Sequence, residues 1–190
     1  TYYSDNSSPD YRGYFENCDL AGVVDWICGN GDIWFEKCNI IVRDRTGNNI
    51  AAPNTEVGQA WGYVFNNCTI KPETDKPTQL KGNDWTLARP WNNSPACTFI
   101  NTKMYTQPRT YGWNRMTSGL VVRFHEYNSV DESDTPIPLG TRSLAACSPA
   151  PGSDDCILTN TSDYNIRNVM GGALIEVRHR RNEPSVYRLF

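Results

Sequence analysis

No apolar run in the 190 residues approaches the roughly 18–20 needed to cross a bilayer. Neither sign of charge dominates: 18 Lys and Arg stand against 21 Asp and Glu, a formal charge of −3. That balance argues against a nucleic-acid binder working by bulk electrostatics, so neither nucleic acid nor membrane is expected as a partner. C-x-x-C pairs are missing, which removes support for a zinc ribbon. No sustained 3.6-residue apolar stripe of about 12 residues or more is present, so long amphipathic helices are not expected. No initiator Met or signal sequence opens the chain. Thr1-Tyr2-Tyr3-Ser4 reads as the middle of something, and the chain is expected to be mature or excised. What remains is a folded globular chain of one domain's length, with 21% charged and 12% aromatic residues.

Seven cysteines stand at 18, 28, 38, 68, 97, 147 and 156, so at least one is unpaired. Cys147 and Cys156 flank the loop-like stretch Ser148-Pro-Ala-Pro-Gly-Ser-Asp-Asp155 and are the best candidates for a local disulfide.

The first cysteines belong to a recurring phrase. It reads Phe15-Glu-Asn-Cys18-Asp-Leu20, Phe35-Glu-Lys-Cys38-Asn-Ile40 and Phe65-Asn-Asn-Cys68-Thr-Ile70, with a worn copy at Phe99-Ile-Asn-Thr102-Lys-Met104. The Phe-to-Phe steps are 20, 30 and 34 residues. Apolar residues alternate with polar ones in each copy, the pattern of a half-buried strand. Gly, Pro, Asn and Asp separate the copies. One strand type recurring at this interval predicts a solenoid, and the spacers fit coils of a parallel β-helix. Stacked coils would put Cys18, Cys38 and Cys68 in one internal ladder and the four Phe in another. Stacked side chains point the same way, which is poor disulfide geometry, so these three are read as small buried hydrophobes. The repeat fades after about Thr106. Residues 131–155 read as long surface loops, and 157–170 recover some alternation. The expected organisation is a β-helix domain over 1–170 and a C-terminal tail over 171–190. The tail's Arg178-His-Arg-Arg181 is taken as a solvated end.

Two features carry potential chemistry. Asp25 lies in Gly22-Val-Val-Asp25-Trp-Ile-Cys-Gly29, which reads as an otherwise apolar strand. An acid there is either solvent-facing or retained for function. Leu87-Ala-Arg89-Pro-Trp91 offers a guanidinium fork and an aromatic ring suited to stacking on a sugar. Alone, each reads more readily as an ordinary surface position. Asp25 lies ten residues after Phe15 and Arg89 ten before Phe99, so both fall between successive Phe strands. A coil stack could then put them on one face, where the Arg would keep the Asp ionised as a carboxylate nucleophile requires.

These segments resemble the pectin methylesterases, right-handed parallel β-helix enzymes. Tyr14-Phe-Glu-Asn-Cys-Asp-Leu-Ala-Gly-Val-Val-Asp25-Trp-Ile-Cys-Gly29 is similar to the family's Asn-Cys…Gly-x-Val-Asp-Phe-Ile-Phe-Gly segment. Gly62-Tyr-Val-Phe-Asn-Asn-Cys-Thr-Ile70 is similar to Gly-Phe-Val-Phe-Gln-Asn-Cys-x-Ile. Leu87-Ala-Arg89-Pro-Trp91 is similar to Leu-Gly-Arg-Pro-Trp. Gly112-Trp113-Asn-Arg-Met116 and Phe124-His-Glu-Tyr-Asn128 match more weakly. The resemblance covers about residues 1–170. It implies that Asp25 attacks the methyl-ester carbonyl of galacturonate, that Arg89 hydrogen-bonds Asp25, and that Trp91 packs against the sugar. It also implies that Tyr3 and Met116 line the substrate groove. The implied substrate is methyl-esterified pectin, acted on outside the cytoplasm or in a periplasm by a monomer. No metal or organic cofactor is implied.

The departures matter too. Thr1-Tyr2-Tyr3 looks like the end of the family's Gln-Asp-Thr-Leu-Tyr motif, so the general acid and its Gln are expected immediately before residue 1. The 190 residues alone are then expected to be inactive. Asp5 and Asp10 follow Tyr3 and do not substitute. Trp26-Ile27-Cys28 replaces Phe-Ile-Phe, and Ala88 replaces a Gly, a small change unless that Gly needs positive φ. A lyase would need an acidic calcium cluster and a galacturonase clustered Asp, and neither surrounds Asp25. A Ser–His reading through His125 has no nucleophile elbow behind it. The alternative that stays open is a non-catalytic pectin-binding β-helix module.

Overall fold

A computed structural model describes residues 2–4, 8, 10–43, 47–73, 84–172, 174–177 and 186–189. Fourteen of its strands form three parallel sheets in which neighbours are three strands apart in the chain up to β12 and two apart in the last coil, as a wound coil with one short side requires. The first sheet runs β1 (Tyr2–Ser4), β4 (Ile27–Gly29), β7 (Asn48–Pro53) and β10 (Trp85–Ala88). The second runs β2 (Arg12–Glu16), β5 (Asp32–Glu36), β8 (Tyr63–Asn66), β11 (Ala96–Ile100) and β13 (Arg123–Tyr127). The third runs β3 (Asp19–Gly22), β6 (Asn39–Val42), β9 (Thr69–Pro72), β12 (Lys103–Met104) and β14 (Val130–Asp131). β15 (Leu174–Val177) and β16 (Val186–Leu189) pair antiparallel. The Arg178–Arg181 run lies outside the described residues.

The repeat sets the register. Phe15 pairs with Phe35, Phe35 with Phe65 and Phe65 with Phe99. Their rings stack at 5.0, 4.5 and 4.4 Å between centroids. This is a stacking distance imposed by the strand separation. Cys38 and Cys68 are buried one coil apart, Cys18 is half-buried at the near end, and buried Thr102 continues the column. Each thiol donates to a neighbouring carbonyl, as Cys68 Sγ does to Phe35 O at 3.4 Å. Cys147 and Cys156, expected as a disulfide, are free buried thiols. Cys147 donates instead to Asn114 O at 3.1 Å, and burial pushes its pKa up to about 12.

Between the second and third sheets the chain turns through one left-handed residue per coil. Asn17, Lys37, Asn67, Asn101 and Asn128 all have φ between 50° and 52°. Asn tolerates this region because its short amide bonds locally. The N–H groups of the first four reach the next coil's carbonyl at 2.9–3.0 Å. Asn128 Nδ2 donates to Asn101 Oδ1 at 2.8 Å, continuing the ladder outside the core.

The later chain keeps the coil while the phrase fades: β13 and β14 form a further coil, with Glu126 in the register position after Phe99 and Ser129 after Thr102. Residues 131–155, expected as surface loops, are not loop alone. Short 3-10 turns at Leu139–Thr141 and Leu144–Cys147 bury Leu144, Cys147 and Arg142. Beyond them a single-turn helix, α1 (Ile166–Met170), is capped by Asn165 and closed by Gly171 at φ 58°. Its Val169 and Met170 cover Trp34, Val64 and Ile100 of the second sheet.

Candidate active site

Asp25 is not in a strand. β3 stops at Gly22, and a Cβ there would lie 2.1 Å from Cγ of Trp26, so only glycine lets the Trp26 ring fold back on the chain. That fold bends residues 23–25 and sets Asp25 at φ 49° before β4 begins. A run of apolar residues reads as extended, and this close packing is what it fails to reveal. The turn is held from the next coil: Asp25 N donates to Asn49 O at 2.8 Å.

Arg89 directly follows β10. Its N–H donates to Ala51 O at 3.0 Å, and Pro90 keeps it extended. Ala88, where the resemblance has glycine, is a buried strand residue without positive φ, so the side chain costs nothing there. From this position the guanidinium crosses to Asp25. Nε donates to Oδ1 at 2.9 Å and to Oδ2 at 3.1 Å, and Nη2 also donates to Oδ2. The side chains are 19% exposed for Asp25 and 25% for Arg89. The carboxylate is thus ionically held and still reachable, in a setting where charge interactions exceed their strength in bulk water.

Around this pair the structure assembles the other expected residues. Tyr3 is 55% exposed, and its ring lies 6.2 Å from that of Trp91, tilted by 39°. Trp91 is fixed through its N–H to Pro53 O at 3.1 Å and through its carbonyl, which accepts from the Thr117 hydroxyl. Met116 is 39% exposed in a turn stitched back to the Arg89 segment, with Asn114 N on Ala88 O and Thr117 N on Pro90 O, both at 3.0 Å. Cys28 pairs with Tyr3 across β1 and β4. Burial and then the charge of Asp25 raise its pKa, which keeps the thiol protonated beside the carboxylate. Asp10 sits in an exposed turn, and Asp5 lies outside the described residues.

Sequence reasoning missed a polar group beneath the pair. Asn49 Oδ1 accepts from Thr86 Oγ1 at 2.6 Å and from Asn114 Nδ2 at 3.0 Å. Only the neighbouring Asn48-Asn49 hints at it. His125 makes no contact with the Asp25–Arg89 pair; its ring contacts Thr98, Tyr164 and Asp154. A depression of 530 Å³ lies elsewhere, lined by Met104, Tyr105, Asp131, Glu132 and Pro136 among others, and none of the expected site residues border it. Among the described residues no group of three His, Cys, Asp or Glu is placed to hold a metal, and no helix is long and apolar enough to cross a membrane.

A family model described as Pectinesterase matches residues 3–135. The chain is similar to a probable pectinesterase A of Neosartorya fischeri, 30% identical over 120 residues, covering 62% of this chain and 35% of that one. It is also similar to pectinesterase 2 of Citrus sinensis, 31% identical over 106 residues, covering 54% and 21%. Among solved structures it resembles a pectin methylesterase from carrot at TM-score 0.67 and 20% identity, covering 85% of this chain and 50% of that one. A pectin methylesterase solved in complex with a hexasaccharide gives TM-score 0.66 at 24% identity, covering 84% and 51%. At these identities the likeness shows the parallel β-helix fold. The chain spans about a third of the length of the Neosartorya relative and half that of the solved ones.

Proposed function

The chain belongs to the pectinesterase family, and from that premise we propose that it removes methyl esters from polygalacturonate, with Asp25 as nucleophile. The observation that carries this reading is the three-bond guanidinium fork of Arg89 on Asp25, made across 64 residues of chain. The fork fixes the direction of the carboxylate and leaves an oxygen lone pair to attack the ester carbonyl. The C–O bond to the methoxy group then breaks. Methanol leaves after taking up a proton, and a carboxylic anhydride joins Asp25 to the sugar. Water attacks that anhydride, frees the galacturonate carboxylate and restores Asp25. Trp91 and Tyr3 form an aromatic wall for the sugar rings, and Met116 is offered beside them from the turn that Thr117 bonds to Pro90 and Trp91. A polymer of this size is met outside the cytoplasm, in an extracellular or periplasmic space, and the acting unit is a monomer.

Methanol release from methyl-esterified pectin tests the reading, measured on the 190 residues and on the full reading frame that encodes them. Turnover that Asp25→Asn abolishes is expected from the full reading frame. Binding of pectin with no methanol would assign the chain to a non-catalytic pectin-binding module instead, and an unsaturated product would assign it to a lyase.

A further inference from the structure

The polar group beneath the site points to a residue that acts on the reaction without touching the substrate. Asn49 is 1% exposed. Its side-chain oxygen accepts two hydrogen bonds, from Thr86 and from Asn114, and so uses both lone pairs. Its amide nitrogen donates to Gly47 O at 3.3 Å. Its own backbone carbonyl accepts the N–H of Asp25. Each partner leads to a different part of the site. Thr86 pairs with Asn49 in the first sheet and lies three residues before Arg89. Asn114 lies two residues before Met116 and is bonded through its backbone to Ala88. Asp25 carries the carboxylate itself, in a left-handed turn for which the Asn49 carbonyl supplies the backbone anchor.

We infer that Asn49 is a positioning residue: its buried side chain, clamped by Thr86 and Asn114, fixes the carbonyl that holds Asp25 in its turn, and so aligns the Asp25 carboxylate with Arg89. The inference rests on the esterase reading only for its kinetic consequence; the geometric claim stands by itself. Loss of the clamp leaves donors buried without an acceptor, and the strand carrying Asn49 shifts to satisfy them. A displacement of the carboxylate below 1 Å weakens a transition-state interaction far more than ground-state binding of the polymer, which depends on Trp91, Tyr3 and Met116.

Two substitutions made in the full reading frame test this. Thr86→Val is isosteric and removes one clamp donor while leaving a folded core. Asn49→Leu removes the acceptor. Both are expected to lower kcat about tenfold or more with KM within about twofold, and to speed hydrogen exchange at the Asp25 amide about tenfold. Exchange at Phe35 and Phe65 in the Phe stack should be unchanged. Thr86→Ser, which restores the hydroxyl, should recover both readouts. Equal losses in every amide, a KM effect without a kcat effect, or no rescue by serine would overturn the inference. If the unsubstituted protein releases no methanol, the esterase reading fails on its own. The exchange at Asp25 then decides the positioning role: selective acceleration in Thr86→Val upholds it and unchanged protection overturns it.

Discussion

Glu126 occupies the register position one coil beyond Phe99, and Arg142 closes on it from the turn that follows. Nε donates to Oε2 at 2.6 Å and Nη2 to Oε1 at 3.4 Å. Both side chains are almost entirely buried, at 0% and 3% exposed. Nη1 is occupied by Thr110 O at 3.0 Å, so the pair meets several of its hydrogen-bond needs internally. Such a pair gives little net stability against an apolar substitute, but half of it is costly to leave behind. Arg142→Met should therefore destabilise the protein by about 3–5 kcal/mol in urea denaturation. Glu126→Leu combined with Arg142→Met should recover most of that loss. A single substitution as mild as the double would show that the carboxylate is not confined as described.

Asp25→Asn separates chemistry from folding. Asn populates the left-handed region as readily as Asp, so the turn at φ 49° persists. The midpoint of thermal unfolding should move by no more than a few degrees, while methanol release should fall by roughly three orders of magnitude or more, because a neutral amide is a poor nucleophile. Arg89→Lys should cost roughly 10–100-fold, since an ammonium cannot reproduce the fork. Sugar binding, followed by titration calorimetry with a galacturonate oligosaccharide, should survive both changes.

Lys37 is the only non-asparagine among the five left-handed residues of the described ladder, and it is exposed. A long side chain there bears the steric cost of positive φ without a local amide contact. Lys37→Asn should stabilise the chain by about 0.5–1 kcal/mol, read from denaturant midpoints. Asn101→Ala should act in the opposite direction, by about 1–2 kcal/mol.

His125 gives stability a pH dependence. The ring is buried, with Nε2 at 3.3 Å from Asp154 Oδ2 and Nδ1 at 3.2 Å from the Tyr164 hydroxyl and 3.4 Å from that of Thr98. Burial lowers its pKa; Asp154 opposes the shift and the Arg123 charge adds to it. The unfolded chain, with an ordinary His near about 6.5, then binds the proton more tightly than the folded one. Stability is therefore lost as pH falls below about 6.5, down to the lowered folded value. The difference in unfolding free energy between the native protein and His125→Gln should shrink across that window and stay flat above about pH 7.5. A difference that grows on acidification would mean that the Asp154 contact outweighs burial.

The sequence announces the stack because residue types recur: Phe at one position, Cys three further on, and Asn or, once, Lys37 between them. It conceals the last coil because Phe becomes Glu126 and Cys becomes Ser129, leaving Asn128 as the surviving mark. That substitution is intelligible only once Arg142 is seen beside it, from a segment that reads as loop. The Asp25–Arg89 encounter follows from two motifs and a coil stack. The left-handed turn at Asp25 does not, since it depends on Trp26 packing over Gly22 rather than on any local turn residue. The Asn49 clamp is equally invisible, because its partners come from three separate coils.

Asp25 precedes β4 and Arg89 follows β10, with β7 lying between them. Their separation is thus set by an integral number of strand spacings, each about 4.8 Å. Insertions in the connecting loops leave that number untouched, so such a scaffold tolerates wide variation in spacer length at no cost to the pair. Removing or adding a whole coil between them changes the separation by more than the length of a hydrogen bond. The site is in this sense quantised: a change in spacer length leaves the separation of the pair as it is, and a change in the count of rungs alters it by whole strand spacings.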